Sequence, residues 1–498
     1  MNSQVTRRTF LRNSAAAAAA VSLPARIHAQ APGANSDIRV GVVGFNGRGK
    51  DHISGLLGVK GVRITALCDA DYSVLERGKE QLKGKNQDVQ TFTDMRELFA
   101  SKEVDVISTA TPNHWHSLAA IWAIQAGKDV YVEKPVSHNV FEGRKVVEAA
   151  RKYGRICQTG TQARSALGLQ QAVKWAQEGN LGKLLWARGT CYKRRPSIGK
   201  VAEPTPWPQL INEDLWYGPA PIKPLKRKNL HYDWHWVWDT GNGDLGNQGI
   251  HQMDIARWFI GEGALAPSVF SVGGRLGYVD DGETPNTMFL VQGYEKAPLI
   301  FEVRGLPEKT DAKKMDDYRG TSVGVVVQYE NGHIVVPSYT AVAAFGKDGK
   351  MVKRWGNYAA PKDGVDPGPP DHGDEESHYA NFIGAVRSRK HTDLNADILE
   401  GHLSSALCHT GNISYQLGKK ADPDVIREKL QNDKEAADSL ARMIEHLAAN
   451  GVDVAADQLT LGEFLKMNPE TEKFIGNAEA DKLLTREYRA PYIVPETV

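Results

Sequence analysis

The sequence predicts an α/β protein in two parts, a doubly wound parallel sheet followed by an α/β unit built on a large open, mainly antiparallel sheet. Three observations carry this reading. The apolar run from Asp37 to Gly44 reads as a buried strand entering a glycine turn, with polar, helix-compatible sequence from Lys50. Two later strands, 105–112 and 129–132, flank the helix-forming stretch 113–126, which Gly127 stops, as in a βαβ sheet. Beyond them, 183–192, 268–278, 287–304 and 321–337 carry the alternation and β-branched content of strands, after a helix over 166–179.

At 498 residues the chain is long enough for two to four folding units. Hydrophobic residues at 41% and charged residues at 24% are ordinary for a globular protein. Lys+Arg 61 against Asp+Glu 60 leaves no global field to draw nucleic acid or an anionic membrane. Cys68, Cys157, Cys191 and Cys408 lie far apart with no C-x-x-C spacing, against a zinc ribbon or a disulfide scaffold, and no metal site is expected. Residues 1–30 read as an address: Arg7-Arg8 precede Phe10-Leu11, the apolar run Ala15 to Leu23 follows, and Ala29 closes a cleavage-type sequence. This resembles a twin-arginine signal, implying export to the periplasm by the twin-arginine machinery, and the apolar run is too short for a stable membrane anchor. The expected domains are 36–156, 157–430 and a helical extension 431–498 of unassigned role.

The turn Gly44-Phe45-Asn46-Gly47-Arg48-Gly49 keeps the first and third glycines of G-x-G-x-x-G and replaces the second with Asn46, the non-glycine residue that best tolerates positive φ. Its amides are expected to face a pyrophosphate at a helix N-terminus. The second strand ends in Asp69, twenty positions after Gly49, where a carboxylate accepts from the adenosine ribose and repels a 2′-phosphate. NAD is therefore expected over NADP, with Asp71 an alternative for the same role. Thr111, Asn113 and His116 at the next strand end, and Glu133 and Lys134 before Pro135 at the following one, complete the expected cofactor set. An ammonium at Lys134 would hydrogen-bond a reacting hydroxyl and stabilise alkoxide character.

The glycine turn, "TPNHWH" and "GKDVYVEKP" in this order resemble the Gfo/Idh/MocA oxidoreductases, clearly over 38 to about 260 and weakly to about 420. The resemblance implies a nicotinamide-dependent enzyme acting on a sugar, polyol or related carbohydrate, and a second domain whose sheet doubles as a homo-oligomer interface. "GNGDLGNQGIHQMDIARW" resembles the family's second catalytic motif. His251 matches its histidine, the expected general base, and Asn247 stands where aspartate is usual, leaving base strength and reaction type open. Asp254, one turn on, either orients His251 or pairs with Arg257. The stretch 231–258 holds four tryptophans and a tyrosine, an aromatic platform for sugar faces that includes Trp234. Arg164, Tyr192, Arg195 and Asp233 are further substrate candidates by residue type. The Pro-, Gly- and Asp-rich loop 359–374 is read as a cover for the cleft or a subunit contact. A redox-neutral relative that oxidises a hydroxyl transiently, a glycosidase or epimerase, is the competing reading.

Overall fold

The computed structural model describes residues 37–360 and 377–498. The twin-arginine segment and most of the loop 359–374 therefore lie outside the described residues. In the first half β1 (Ile38–Val43), α1 (Gly49–Leu57), β2 (Val62–Cys68), α2 (Tyr72–Lys83), β3 (Gln90–Phe92) and α3 (Met95–Ala100) form one limb. The other limb is β4 (Val106–Thr109), α4 (Asn113–Gln125), β5 (Asp129–Val132), α5 (Val140–Lys152) and β6 (Cys157–Thr159). The strands lie in the order β3-β2-β1-β4-β5-β6 and every pairing is parallel, a Rossmann arrangement. The strand order reverses between β1 and β4, so a crevice opens beyond their carboxyl ends. Every residue of β4 and β5 is buried, as expected for strands covered by helices on both faces.

After α6 (Leu167–Gln177) the chain enters the second sheet with β7 (Leu184–Tyr192), α7 (Ile250–Ile260), β8 (Ser268–Gly274), β9 (Thr287–Gln292) and β10 (Leu299–Arg304). The sheet continues through β11 (Val323–Tyr329), β12 (Gly332–Ser338), β13 (Ala341–Gly346) and β14 (Met351–Gly356). Only β7 and β10 pair in parallel, so the sheet is mainly antiparallel among the described strands. The run 287–304 is two strands with a turn at 293–298, and 321–337 likewise divides between β11 and β12.

Three later segments tie the halves together. α8 (His378–Ser388) returns to the first half, where Phe382 and Ile383 join Ile53 and Leu56 in one core. α9 (Ile398–Leu417) packs against both α5 and α7. The tail after 431 is not simply a helical extension: α10 (Lys434–Ala449) is followed by short strands at Leu459–Leu461 and Leu465–Asn468 that pair with β8. Its last residues, Tyr492, Val494 and Val498, enter the core under α4 and α5. No helix among the described residues is long and apolar enough to cross a membrane.

Strand parity decides what β7 presents to each side. Ala187 and Cys191 pack toward α7, whereas Trp186 shares a core with Leu440 and Met443 of α10. On that second face the buried carboxylate of Glu302 accepts from Arg188, Arg442 and, at 2.5 Å, the hydroxyl of Tyr192. Burial opposes ionisation of Glu302, but the guanidinium groups of Arg188 and Arg442 outweigh it and pull the carboxyl down to about 2. The depressed value means this stabilisation is present above the ordinary carboxyl range near ~4.3 and is lost as pH falls toward about 2. Glu302→Gln leaves buried cations short of their counter-charge and should cost about 3–5 kcal/mol, read as a lower thermal unfolding midpoint with cofactor affinity unchanged. An unaltered midpoint would show that this cluster does not hold α10 to the sheet.

Candidate active site

The glycine turn follows from close packing. Gly44 has φ +74°, and a Cβ there would lie 2.8 Å from the Thr111 amide nitrogen. A Cβ at Gly49 would lie 2.2 Å from the Gly44 carbonyl oxygen, whereas Gly47 has nothing within 4 Å and leaves an open face. The left-handed residue is Gly44, not Asn46; Asn46 instead accepts at 3.4 Å from Arg77, a cation the sequence places outside the turn. At the end of β2, Asp69 accepts from the amides of Phe45 (3.2 Å) and Asp71 (3.1 Å). Burial raises its carboxyl to about 6 despite those two bonds. Asp71 is occupied elsewhere, capping α2 and meeting His231 at 3.0 Å.

A cavity of ≈ 330 Å³ runs from this turn past Asp69, Thr111, Asn113 and His116 to Glu133, Lys134 and Asn247. Its far wall is Leu215, Trp216, His231, Tyr232, Trp234 and His235. The residues fit a dinucleotide: the open face of Gly47 at the start of α1, a carboxylate at the end of β2 and a lysine at the end of β5 lie along one crevice. Glu133 is buried and accepts from Arg48 at 2.9 Å and from Gln162 at 3.2 Å, and meets His52 at 3.2 Å. Burial would favour its neutral form, yet the His52 hydrogen bond and the Lys134 and Arg48 charges hold it well below the usual carboxylate range. Both ring nitrogens of His116 face carbonyls, those of Pro135 and Thr111, and Asn113 donates to Asn242 at 3.1 Å.

Lys134 donates its Nζ to the main-chain carbonyl of Asn247 at 2.7 Å. Asn247 lies in a π-helical turn, Leu245–Gly249, and His251 follows one turn later at the start of α7. Burial lowers Lys134, with Arg48 and Lys193 adding to it against Glu133. Burial, then the Lys134 charge, lowers His251 to about 3. The contribution of Asn247 is thus a carbonyl, available to any residue type. Asp254 does not orient His251: it takes three bonds from Arg164 and one from Ser404 and lies 3.7 Å from Arg257, while His251 Nδ1 has no hydrogen-bond partner among the described residues.

The other substrate candidates separate. Trp234 lines the cavity and stacks on His235 with ring centroids 3.6 Å apart. Arg195 stands at the rim, donating to Tyr232 and, at 2.7 and 2.8 Å, to Asp244. Arg164 is committed to Asp254, Tyr192 faces Glu302 across the sheet, and Asp233 accepts from the Asn229 amide in its own turn. Sequence reasoning assigned nothing to Leu215 and Trp216, whose short helix Glu213–Tyr217 reaches the cleft through long-range contacts. His231 and His235 are cavity walls; no cluster of three or more His, Cys, Asp or Glu able to hold a metal occurs among the described residues.

Residues 38–161 match the family model described as an oxidoreductase family NAD-binding Rossmann fold, and 186–281 match that family's C-terminal alpha/beta domain. Over these two stretches the chain is thus similar to both domains of the Gfo/Idh/MocA oxidoreductases. Proteins of Shewanella baltica named "Glycosyl hydrolase family 109 protein" are 28% identical over 153 residues, 30% of this chain and 33% of theirs. The chain thus spans about a third of the length of these curated relatives. Two solved structures share the fold. The WlbA dehydrogenase of Bordetella pertussis, in complex with NADH and UDP-GlcNAcA, has TM-score 0.52 and 20% identity over 75% of this chain and 93% of that one. A levoglucosan dehydrogenase complexed with NADH and levoglucosan has TM-score 0.53 and 17% identity over 75% and 95%.

For a carboxylate that holds the ribose, the raised carboxyl of Asp69 predicts pH-dependent cofactor binding. Below about 6 it is protonated and becomes a poorer acceptor for ribose hydroxyls, so NAD affinity should fall as pH drops through that value. The same shift lies above the ordinary ~3.9, so ionising Asp69 costs folding stability as pH rises through the interval between the two. Calorimetric titration on either side of about 6 checks this: the wild type should show the step and Asp69→Asn should not. A wild-type affinity independent of pH would remove Asp69 from the ribose site.

Proposed function

We propose that the protein transfers hydride between NAD and a hydroxyl-bearing carbon of a sugar, polyol or related carbohydrate. The observation that carries this reading is the bond from Lys134 to the turn that sets His251, at the end of the cavity three strands across the sheet from Asp69. The nicotinamide, when bound, supplies the acceptor for the hydride. The protein's own part is to hold the hydroxyl and take its proton. Lys134 donates to the substrate oxygen, which stabilises alkoxide character as the carbon becomes a carbonyl. His251, neutral because of its lowered value, is the base. Its conjugate acid is disfavoured by burial and by the adjacent ammonium, so the proton leaves it during turnover. Trp234 and Tyr232 offer faces for the sugar ring. Asp69 favours NAD over NADP through like-charge repulsion of a 2′-phosphate.

The curated relatives favour a second reading, an NAD-dependent glycosidase in which the hydroxyl is oxidised transiently and the hydride returns. The same lysine and histidine would serve both chemistries. We also propose export to the periplasm, resting on Arg7-Arg8 and the apolar run after them. Export in a folded state would favour a cofactor loaded before transit.

Lys134→Met and His251→Ala should keep fold and bound cofactor while lowering turnover by roughly two to four powers of ten; wild-type rates in both would overturn the assignment. Asn247→Asp should keep or raise activity, since the carbonyl that holds Lys134 is retained. Single-turnover absorbance of the bound cofactor separates the two chemistries. Lasting reduction by a free sugar is expected; sustained cleavage of an aryl glycoside without accumulated reduced cofactor would establish the second reading.

A further inference from the structure

The rim beside His251 is basic, and two of the three cations that follow β7 pair with no carboxylate among the described residues. β7 ends in Tyr192 and is followed by Lys193-Arg194-Arg195. Of these, Arg195 is taken by Asp244. Lys193 instead donates its Nζ to the side-chain oxygen of Gln248 at 3.1 Å, and neither Lys193 nor Arg194, both exposed, makes an ion pair among the described residues. Asp280, the next carboxylate along this rim, is held by Arg275.

Gln248 gives that ammonium its significance. It immediately follows Asn247, whose carbonyl holds Lys134, and its amide nitrogen donates to the Tyr339 hydroxyl at 2.8 Å. The Tyr339 ring lies 4.9 Å from the ring of His251. One side chain therefore links an unpaired cation to both members of the catalytic pair. Lys193 is also one of the charges that disfavour the ammonium of Lys134, after burial itself. The stretch 193–228, which crosses from β7 to the cavity wall, holds eight basic and three acidic side chains, although the whole chain has a net charge of only +1.

We propose that the carbohydrate is anionic, a sugar acid whose carboxylate seats on Lys193 while the hydroxyl to be oxidised lies between Lys134 and His251. This rests on the carbohydrate-oxidoreductase reading and narrows it. A neutral sugar leaves Lys193 with only an amide oxygen, whereas a uronate supplies a charge-assisted hydrogen bond. Gln248 then acts as a positioning residue that fixes Lys193 relative to the reacting centre.

The test compares matched pairs, glucose with glucuronate and galactose with galacturonate, on the full-length protein with its cofactor. Binding is followed calorimetrically, and reduction by nicotinamide absorbance. The uronate of at least one pair should bind roughly tenfold tighter than its neutral partner, with the gap shrinking as salt is raised. Lys193→Gln should abolish the gap and Lys193→Arg should keep most of it; the site is exposed, so the fold is not at risk. Neutral sugars binding as well as their uronates, or a gap that survives Lys193→Gln, would overturn the proposal. Turnover of a neutral sugar without its uronate removes this inference alone. If neither class binds or reduces the cofactor, the carbohydrate-oxidoreductase reading falls with it.

Discussion

The ionised carboxylate of Glu133, sealed at the carboxyl end of β5, is the contact on which the geometry of the cleft depends. An isolated buried charge would cost several kcal/mol, so its partners must come to it. They do so from three places: Arg48 from the glycine turn, His52 from inside α1, and Gln162 from the turn after β6. Its second oxygen accepts from the Lys134 amide at 2.9 Å, so the same charge that orders the glycine turn also sets the backbone of Lys134. Gly160 is part of this constraint, because a Cβ there would lie 2.8 Å from the Glu133 carboxyl.

The second half reaches back over that centre through polar contacts to the helix that opens with Asn113. His114 meets the Trp216 carbonyl at 2.9 Å, and Trp115 donates to the Leu215 carbonyl at 2.9 Å. Burial lowers His114 to about 3, so it stays neutral and acts as a clamp rather than a charge. At the other end of the cavity His231 joins the aromatic wall to Asp71, and the tail joins in where Arg489 and Tyr492 bond Asp214. The wall is thus fastened to the first sheet by residues far apart in sequence. Its position does not depend on the segment's own secondary structure.

That distinction explains what could be read from the chain before folding. The strand into Gly44, the carboxylate after β2 and the lysine after β5 are local features, each fixed by a few adjacent residues and the period of the element. Tyr192 and Arg195 show where such reading stops. Both follow from residue type near the end of β7, but parity sends Tyr192 to the face with Glu302, while Arg195, past the strand, swings to Asp244. Arg164 is decided by Asp254, ninety positions away. The run 287–304 carries strand-type sequence on both sides of Gly293 to Lys296, and that short polar break divides it into two strands, each buried throughout. The strands of the tail are only three or four residues long and take their conformation from β8.

Asparagine at position 247 bears on the chemistry as much as on the geometry. An aspartate beside His251 would favour the imidazolium, whereas the present surroundings, apolar burial and a neighbouring ammonium, favour the free base. Such a histidine is ready to accept a proton across the physiological range but holds it weakly. On the proposed reading, oxidation at this centre needs either a route for the proton to solvent or a rapid return of proton and hydride to the same carbon. The first is the demand of a net dehydrogenase and the second that of a transient oxidation. With His251 as the proposed base, the choice between them would lie in the lifetime of the carbonyl product in the cleft.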